Sequence, residues 1–467
     1  MARPGGSFPK ERLLGAVASA QFLLQGAKVM KSVVFTTAAI VLGAAAGPLS
    51  ARTVRIPITR VATVPVPCAN ETLATCHNRW HPAIRPVATA NPGDTVIFET
   101  RDALDNPFNR TSTPATVAAA NLNLVHPLTG PLFVNGARRG DVLAVTMIDA
   151  IPGPDHFGYT VVIPGFGFLR DVFPNPAIVH WELGQVGGEG DNQFATSRDI
   201  PGVRIPLHGF AGTIGVALGL PEIETAFLRE DQLLRAGGFV LPPQPQDAVP
   251  AGLCGPSGSA RDRCLRTIPP RENGGNTDIK QMVKGTTLLF PCFVDGCLLS
   301  MGDVHFAQGD GEVSGTAIEM NAIVTVRVEV RRGLAAFGTW PKFESSRAGV
   351  LKDLEPNHFI ATIGVPVKPV GVVIAEETWI DGVRLGPLTN QSEDVTLAAR
   401  DALLKMIDLL TGPESPSSAR LTPAQAYILC SVACDLKISN LVDVPNFVVS
   451  NFLQLDIFRP RGQGDGE

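Results

Sequence analysis

The densest run of chemistry-bearing side chains is Leu299-Ser-Met-Gly-Asp303-Val-His305-Phe-Ala-Gln-Gly-Asp310-Gly-Glu312. Asp303 and His305 are two residues apart, a spacing that puts both side chains on one face of a strand. Asp310 and Glu312 repeat that spacing across a glycine-containing turn. Two strand ends could then aim these ligand-capable groups at one point. Carboxylates with an imidazole suit a hard or borderline divalent cation such as zinc. The competing reading is a polar turn with solvated carboxylates, since acidic residues are common in turns.

Other candidates lie on either side. Glu272-Asn-Gly-Gly-Asn276-Thr-Asp278-Ile-Lys280 joins tandem glycines to Asn and Asp, the composition of a tight loop or a helix cap. Glu319 stands among Ile318, Met320 and Ile323. Facing solvent it needs no explanation. Facing inward it needs a partner, and burial would raise its pKa towards general-base use. His77-Asn-Arg79-Trp80-His81-Pro places two imidazoles and a guanidinium beside an indole, in a segment that reads equally as an exposed loop. His126, His156, His180 and His208 are isolated. The Gly-x-Ser-x-Gly elbow of serine hydrolases is absent, and no Cys sits in a glycine-framed catalytic context. A water nucleophile activated by a metal therefore fits better than a covalent intermediate.

These groups need elements to hold them. Asp94-Thr-Val-Ile-Phe-Glu-Thr follows the turn signal Asn91-Pro-Gly and alternates as a strand does. Asp141-Val-Leu-Ala-Val-Thr-Met-Ile has the same plan after Ala137-Arg-Arg-Gly. Residues 151–215 read as loops and short strands. Thr286–Val294 is apolar and ends at Asp295-Gly296, a hairpin signal, with Cys297–Met301 as the returning strand. The alternation resumes over Glu312–Val330. Val395–Leu410 has helical spacing, and Thr422-Pro423 offers an N-cap and a first-turn proline for a helix through Cys434. Strands first and helices late make an α+β fold, rich in β-structure. The chain divides into an upstream segment with a signal peptide (1–51), an N-terminal β-rich domain (52–240), an exposed Pro/Gly/Cys-rich insertion (241–272) and a C-terminal α+β part carrying the site (273–467).

The chain is long enough for a large core: 467 residues, 45% hydrophobic and 18% charged. A formal charge of −5 argues against nucleic acid or an anionic membrane as the main partner, because such binding rests on a basic surface. Met30-Lys31, an apolar stretch and small residues up to Ala51 form the three regions of a signal peptide. The apolar run is shorter than the roughly 20 residues of a membrane span, so no stable insertion is expected once the signal is removed. Export, to the periplasm, is the expectation. The pairs Cys68/Cys76 and Cys254/Cys264 lie close enough in polar loops for local disulfides. Cys292, Cys297, Cys430 and Cys434 sit in apolar stretches and read as buried thiols.

Several of these segments, taken together, resemble the acetamidase/formamidase family. The blocks are His77-Asn-Arg-Trp-His-Pro, Asn91-Pro-Gly-Asp, Pro127-Leu-Thr-Gly-Pro-Leu-Phe-Val-Asn-Gly-Ala, Glu272-Asn-Gly-Gly-Asn-Thr-Asp-Ile-Lys, Ser300–Glu312, Gly315-Thr-Ala-Ile-Glu, Leu429-Cys-Ser-Val-Ala-Cys-Asp-Leu-Lys and Val442-Asp-Val-Pro-Asn. The resemblance implies an amidohydrolase that splits a short aliphatic amide into carboxylate and ammonia. It also implies a β-sandwich-like core with an added α+β part, and a homo-oligomer. It puts functional weight on Asp278, Asp303, His305, Asp310, Glu312 and Glu319, with His81 as an extra member. On this reading Asp278, Asp303 and His305 hold a divalent metal, zinc, and Glu312 shuttles the proton. The leader and the 241–272 insertion depart from expectation for such an enzyme. They leave open a larger C–N substrate, or an exported non-catalytic small-molecule binding protein on the same fold.

Overall fold

The structure is a computed structural model that describes residues 51–184, 193–238, 240–333, 340–366, 373–374, 378–380, 383–385, 388–389, 394–442 and 447–458. Apart from Ala51, the segment expected to be a leader lies outside the described residues.

The fold is α+β and strand-rich. A six-stranded sheet runs in the order Thr53–Ile56, Thr95–Thr100, Ala322–Arg331, Val142–Pro152, Thr287–Pro291, Lys342–Glu344. Its first pair is parallel and the rest antiparallel. The Ala322–Arg331 strand shows why: Val324, Val326 and Val328 are fully buried, while the alternating Arg327 and Glu329 are exposed. One face therefore meets the core and the other meets water.

An eleven-stranded sheet lies against it, and both feed one hydrophobic core. At its centre, Leu299–His305 is buried at all seven positions, covered on both faces. It pairs with Phe210–Gly215, Leu128–Val134 and Glu319–Met320, all antiparallel. Gly274–Asn276 extends the sheet beyond Phe210–Gly215. A three-stranded sheet (Phe359–Gly364, Val448–Gln454, Cys434–Asn440) carries the helix Val395–Thr411. The helix Pro423–Ala433 starts at Thr422 with Pro423 in its first turn, as its sequence predicts, and Gln425 completes a capping box.

Several expectations need correction. Asp295-Gly296 does not close a hairpin. Thr287–Pro291 belongs to the first sheet and Leu299–His305 to the second. Gly296, Cys297 and Leu298 all take positive φ, so the reversal continues for three residues and carries the chain across. The run Glu312–Val330 is likewise broken. Glu319–Met320 lies in the second sheet and Ala322–Arg331 in the first, with Asn321 as the crossing point. Residues 151–215 contain three substantial strands, Phe157–Val162 and Ala177–Leu183, which pair along their length, and Phe210–Gly215.

The cysteines divide differently from expectation. Cys68–Cys76 and Cys254–Cys264 are bonded as anticipated, but Cys292–Cys297 is a third disulfide across the first crossover. Only Cys430 and Cys434 are buried thiols. The 241–272 stretch is not an exposed insertion. Its Leu265–Arg266 pairs with Arg79–Trp80, the carbonyls of Gln244 and Gln246 accept from the buried Arg79 guanidinium, and Cys254 and Cys264 are buried. Apolar and hydrogen-bonding partners far away in sequence hold it down.

Candidate active site

Asp303 sits near the end of the central strand, at a break in its ladder. The register runs Ala211↔Val304 and Thr213↔Gly302, leaving Gly212 opposite Asp303, whose φ is 53°. The register on either side is unshifted, so the positive φ at Asp303 alone turns the carboxylate out of the regular alternation. Gly212 is required there: a Cβ would stand 2.5 Å from Asp278 Oδ1 and 2.6 Å from His305 Cε1.

His305 is fully buried and forms the hub. Its Nδ1 is 2.8 Å from Gln308 Oε1, and Gln308 Nε2 donates to the Asp278 carbonyl at 2.7 Å. Because Gln308 Oε1 can only accept, Nδ1 carries a proton and Nε2 faces the cluster. Nε2 lies 3.2 Å from Asp303 Oδ1 and 3.4 Å from Glu319 Oε2. Glu319 is directly opposite His305 in register and takes the Ala317 N–H on Oε1 at 2.9 Å. The question of which way Glu319 faces is settled: inward, 1% exposed.

Asp278 and Glu312 approach from two loops, both with positive φ and both half-buried, so they form the rim. Ligand-capable atoms of Asp278, Asp303 and His305 lie within 4.8 Å of one another, and so do those of His305, Glu312 and Glu319. Buried Asp278 Oδ1 and Glu319 Oε2 have no hydrogen-bond partner. Converging buried carboxylates with orphaned oxygens are costly unless a cation offsets them. Carboxylate and imidazole donors are what zinc takes, so these residues fit a divalent cation.

The electrostatics follow from this crowding. Burial, then the Asp303 carboxylate, drives Asp278 up to about 7. Glu312 is pushed well above the carboxylate range by burial and by Asp278. Glu319 is also raised, burial outweighing the pull of His305. For Asp303 the balance reverses: burial would raise it, but His126 and His305 hold it well below its usual range. Burial would likewise lower His305, yet Glu319 and Asp303 keep it well above its ordinary value.

Two expected members stand elsewhere. Asp310 is not among the carboxylates that meet around His305, and it accepts from Gln281 Nε2 at 3.0 Å. Successive residues around Gly311 (φ 102°) do not follow strand alternation, so the two-residue spacing does not put these carboxylates together. His81 receives the Ala83 N–H on Nδ1 at 3.1 Å, a local turn contact.

Sequence reasoning missed His126, Thr213 and Gln308. Thr213 Oγ1 lies 2.9 Å from Asp303 Oδ2 and 2.8 Å from Asn276 Oδ1, with His126 Nδ1 at 3.4 Å. His126 Nε2 is 3.7 Å from Asp303 Oδ2. Gln308 was legible in principle, three residues after His305 in the same block. His126 and Thr213 reach Asp303 only through strand pairing.

The profile of the Acetamidase/Formamidase family matches residues 66–460, a span that contains every residue of this cluster. The chain belongs to the acetamidase/formamidase family. A formamidase of Methylophilus methylotrophus is 30% identical over 409 residues, 83% of this chain and 91% of that one. An acetamidase of Mycolicibacterium smegmatis is 32% identical over 356 residues, 72% and 81% of the two chains. Among solved structures of similar fold, a gamma lactamase from Delftia acidovorans has a TM-score of 0.71 at 30% identity, covering 89% of this chain and 96% of that one.

Proposed function

We infer that this member of the family hydrolyses short aliphatic amides to a carboxylate and ammonia, with water as the nucleophile. The observation that carries the reading is the convergence of Asp278, Asp303, Glu312 and Glu319 on the one imidazole of His305. The names of the formamidase and acetamidase relatives support the substrate class.

Asp278, Asp303 and His305 are the residues that would hold a divalent cation, zinc, which when bound polarises the amide carbonyl and acidifies water. Gln308 keeps the His305 proton on Nδ1 and leaves Nε2 free towards the cluster. Thr213 and His126 keep Asp303 ionised. Glu312, at the rim, takes a proton from the attacking water as a carboxylate. The water oxygen bonds to the acyl carbon, the C–N bond breaks, and Glu312 returns the proton to the departing nitrogen. That transfer is needed because an amide anion is a poor leaving group.

A serine–histidine pair outside the cluster raises a covalent route. Ser300 Oγ is 2.8 Å from His77 Nε2, and burial holds His77 down to about 4. Both side chains are sealed, at 0% and 1% exposure, with Gly130 pressed on Ser300. Substrate has no approach, so Ser300→Ala should keep turnover.

A second reading is a cyclic amide substrate, favoured by the name and the close fold of the gamma lactamase. The deciding experiment measures ammonia released from formamide, acetamide and propionamide, and ring opening of a γ-lactam. Each is run as purified, after chelation, and after zinc is restored. Activity lost with chelator and regained with zinc supports hydrolysis and metal together. Activity indifferent to chelation removes the metal from the mechanism. No turnover of any substrate overturns the amidase reading.

Export to the periplasm is part of the proposal. Three disulfides support an oxidising compartment. Cell fractionation and the mass of the mature chain, expected to begin near Arg52, would test it. Self-association is also proposed, supported by the exposed Leu220, Leu228, Leu233 and Leu234 on the helix Leu220–Arg235. Light scattering that returns a monomer mass would remove it.

A further inference from the structure

The two rim residues sit on loops that are tied to a single oxygen atom. Asp435 Oδ1 accepts from the Lys280 ammonium and, at 3.1 Å, from the Asp310 backbone N–H. Lys280 is two residues past Asp278, and Asp310 is two residues before Glu312. Both partners of the ion pair are buried, Lys280 at 6% and Asp435 at 5% exposure.

Further contacts surround this joint. Gln281 Nε2 reaches Asp310 Oδ1 at 3.0 Å, linking the two loops directly. Leu436 N–H donates to the Asp310 carbonyl at 3.2 Å, and Gly309 N–H to the Ser431 carbonyl at 2.9 Å. A Cβ at Gly309 would stand 2.0 Å from the Cys434 carbonyl oxygen, so the loop lies flat on the end of the helix Pro423–Ala433.

We propose that Asp435 and Lys280 are positioning residues that set the distance between Asp278 and Glu312, so that the C-terminal helix and sheet hold the active site in register. Stability alone is a poor account of the pair. Replacing a buried ion pair with apolar groups of similar volume is often neutral or stabilising. What the pair adds is geometry: one acceptor receives donors from two loops and places both in one frame. A displacement of about 1 Å at the reacting groups is enough to cost roughly 100-fold in rate. The kinetic consequence rests on the amidase reading, but the geometry can be tested without it.

The test uses the full chain with Lys280→Met/Asp435→Leu, a double substitution that leaves no charge buried alone, and Asp435→Asn as the conservative variant. Hydrogen exchange of peptides spanning 274–282 and 308–315 is compared with that of 210–215 and 299–305. The expected result is faster exchange in both loops together, unchanged strands, and recovery in Asp435→Asn, which keeps an acceptor for both donors. On an active amide, kcat should fall about 10- to 100-fold with KM within about threefold. Loops that exchange as in the unsubstituted protein, or a change confined to one of them, overturn the joint. A wild type inactive on every amide would remove the amidase reading and leave the exchange result to decide this one. Should the double variant fail to fold, Asp435→Asn is compared with Asp435→Ala: both leave the Lys280 ammonium without this carboxylate and they differ in the acceptor, so equal exchange in the two overturns the proposal.

Discussion

His305 and Gln308 fix each other: Nδ1 stands 2.8 Å from Oε1, and the Gln308 amide nitrogen is spent on the Asp278 carbonyl. The glutamine cannot turn over without losing that second bond, so the imidazole is held in one tautomer and one plane. Gln308→Leu removes the acceptor while keeping bulk. On the proposed reading that His305 holds a divalent cation, zinc affinity and kcat should each drop about 10- to 100-fold, the range for loss of a residue that orients a metal ligand. Zinc titration is the check, and an unaltered affinity would show that the tautomer is set elsewhere.

Gly212→Ala should abolish activity and spare the fold. The added methyl meets Asp278 Oδ1 and His305 Cε1, side-chain atoms of the site rather than the sheet backbone. A loss of about 100-fold or more is expected. Circular dichroism should stay that of the wild type. Gly252→Ala, with nothing within 4 Å, is the control.

Glu312→Gln and Asp310→Asn separate two carboxylates that the sequence presents as equivalent. The first should lose about 100- to 10,000-fold in kcat, the range for general acid–base groups. The second keeps an acceptor for Gln281 and its backbone N–H to Asp435, and should stay within about threefold. Equal losses would put Asp310 back among the reacting groups.

Acid sensitivity should come in part from Glu71. Burial would raise its carboxyl, but hydrogen bonds from Thr59, the Leu73 amide and Arg101 outweigh that and lower it from 4.5 to about 2. The folded value is below the unfolded one, so its stabilisation is complete above pH 4.5 and is lost as pH falls towards 2. Discounted for solvent screening, the effect is on the order of 1–2 kcal/mol. Denaturant titrations at several pH values should show the slope, and Glu71→Gln should flatten it. A slope that survives the substitution assigns it to other groups.

Thiol labelling tests the cysteine pattern. The native chain should expose none, the denatured chain two, and the denatured and reduced chain eight, since Cys430 and Cys434 are buried thiols and the other six are bonded. Four labels before reduction would remove the Cys292–Cys297 bond.

Elements marked by local chemistry were legible in the sequence. The alternation over Thr95–Thr100 and Val142–Pro152 and the Thr422-Pro423 helix start depend on neighbours in the chain, and all appear. The cluster was half legible. Asp303 and His305 share a strand, and Asp278, Glu312 and Glu319 lie in loops or short strands whose composition marks them. His126 and Thr213 could not be found, because strand pairing across some 90 to 180 residues brings them to Asp303. Asp295-Gly296 misled because the dipeptide encodes a reversal but not which sheet receives the next strand. Asp310 misled because glycine at 311 removes the alternation on which a two-residue spacing depends.

The crossings at Gly296 and Asn321 have a practical meaning. Between them lies the stretch that carries Asp303, His305, Gln308, Glu312 and Glu319, and it is anchored at one end and the other to the sheet it has left. Slippage between the sheets would pull on that stretch from both ends. Catalytic competence thus becomes a gauge of how the layers are seated, and heat inactivation should follow the loss of tertiary packing rather than the later loss of strands.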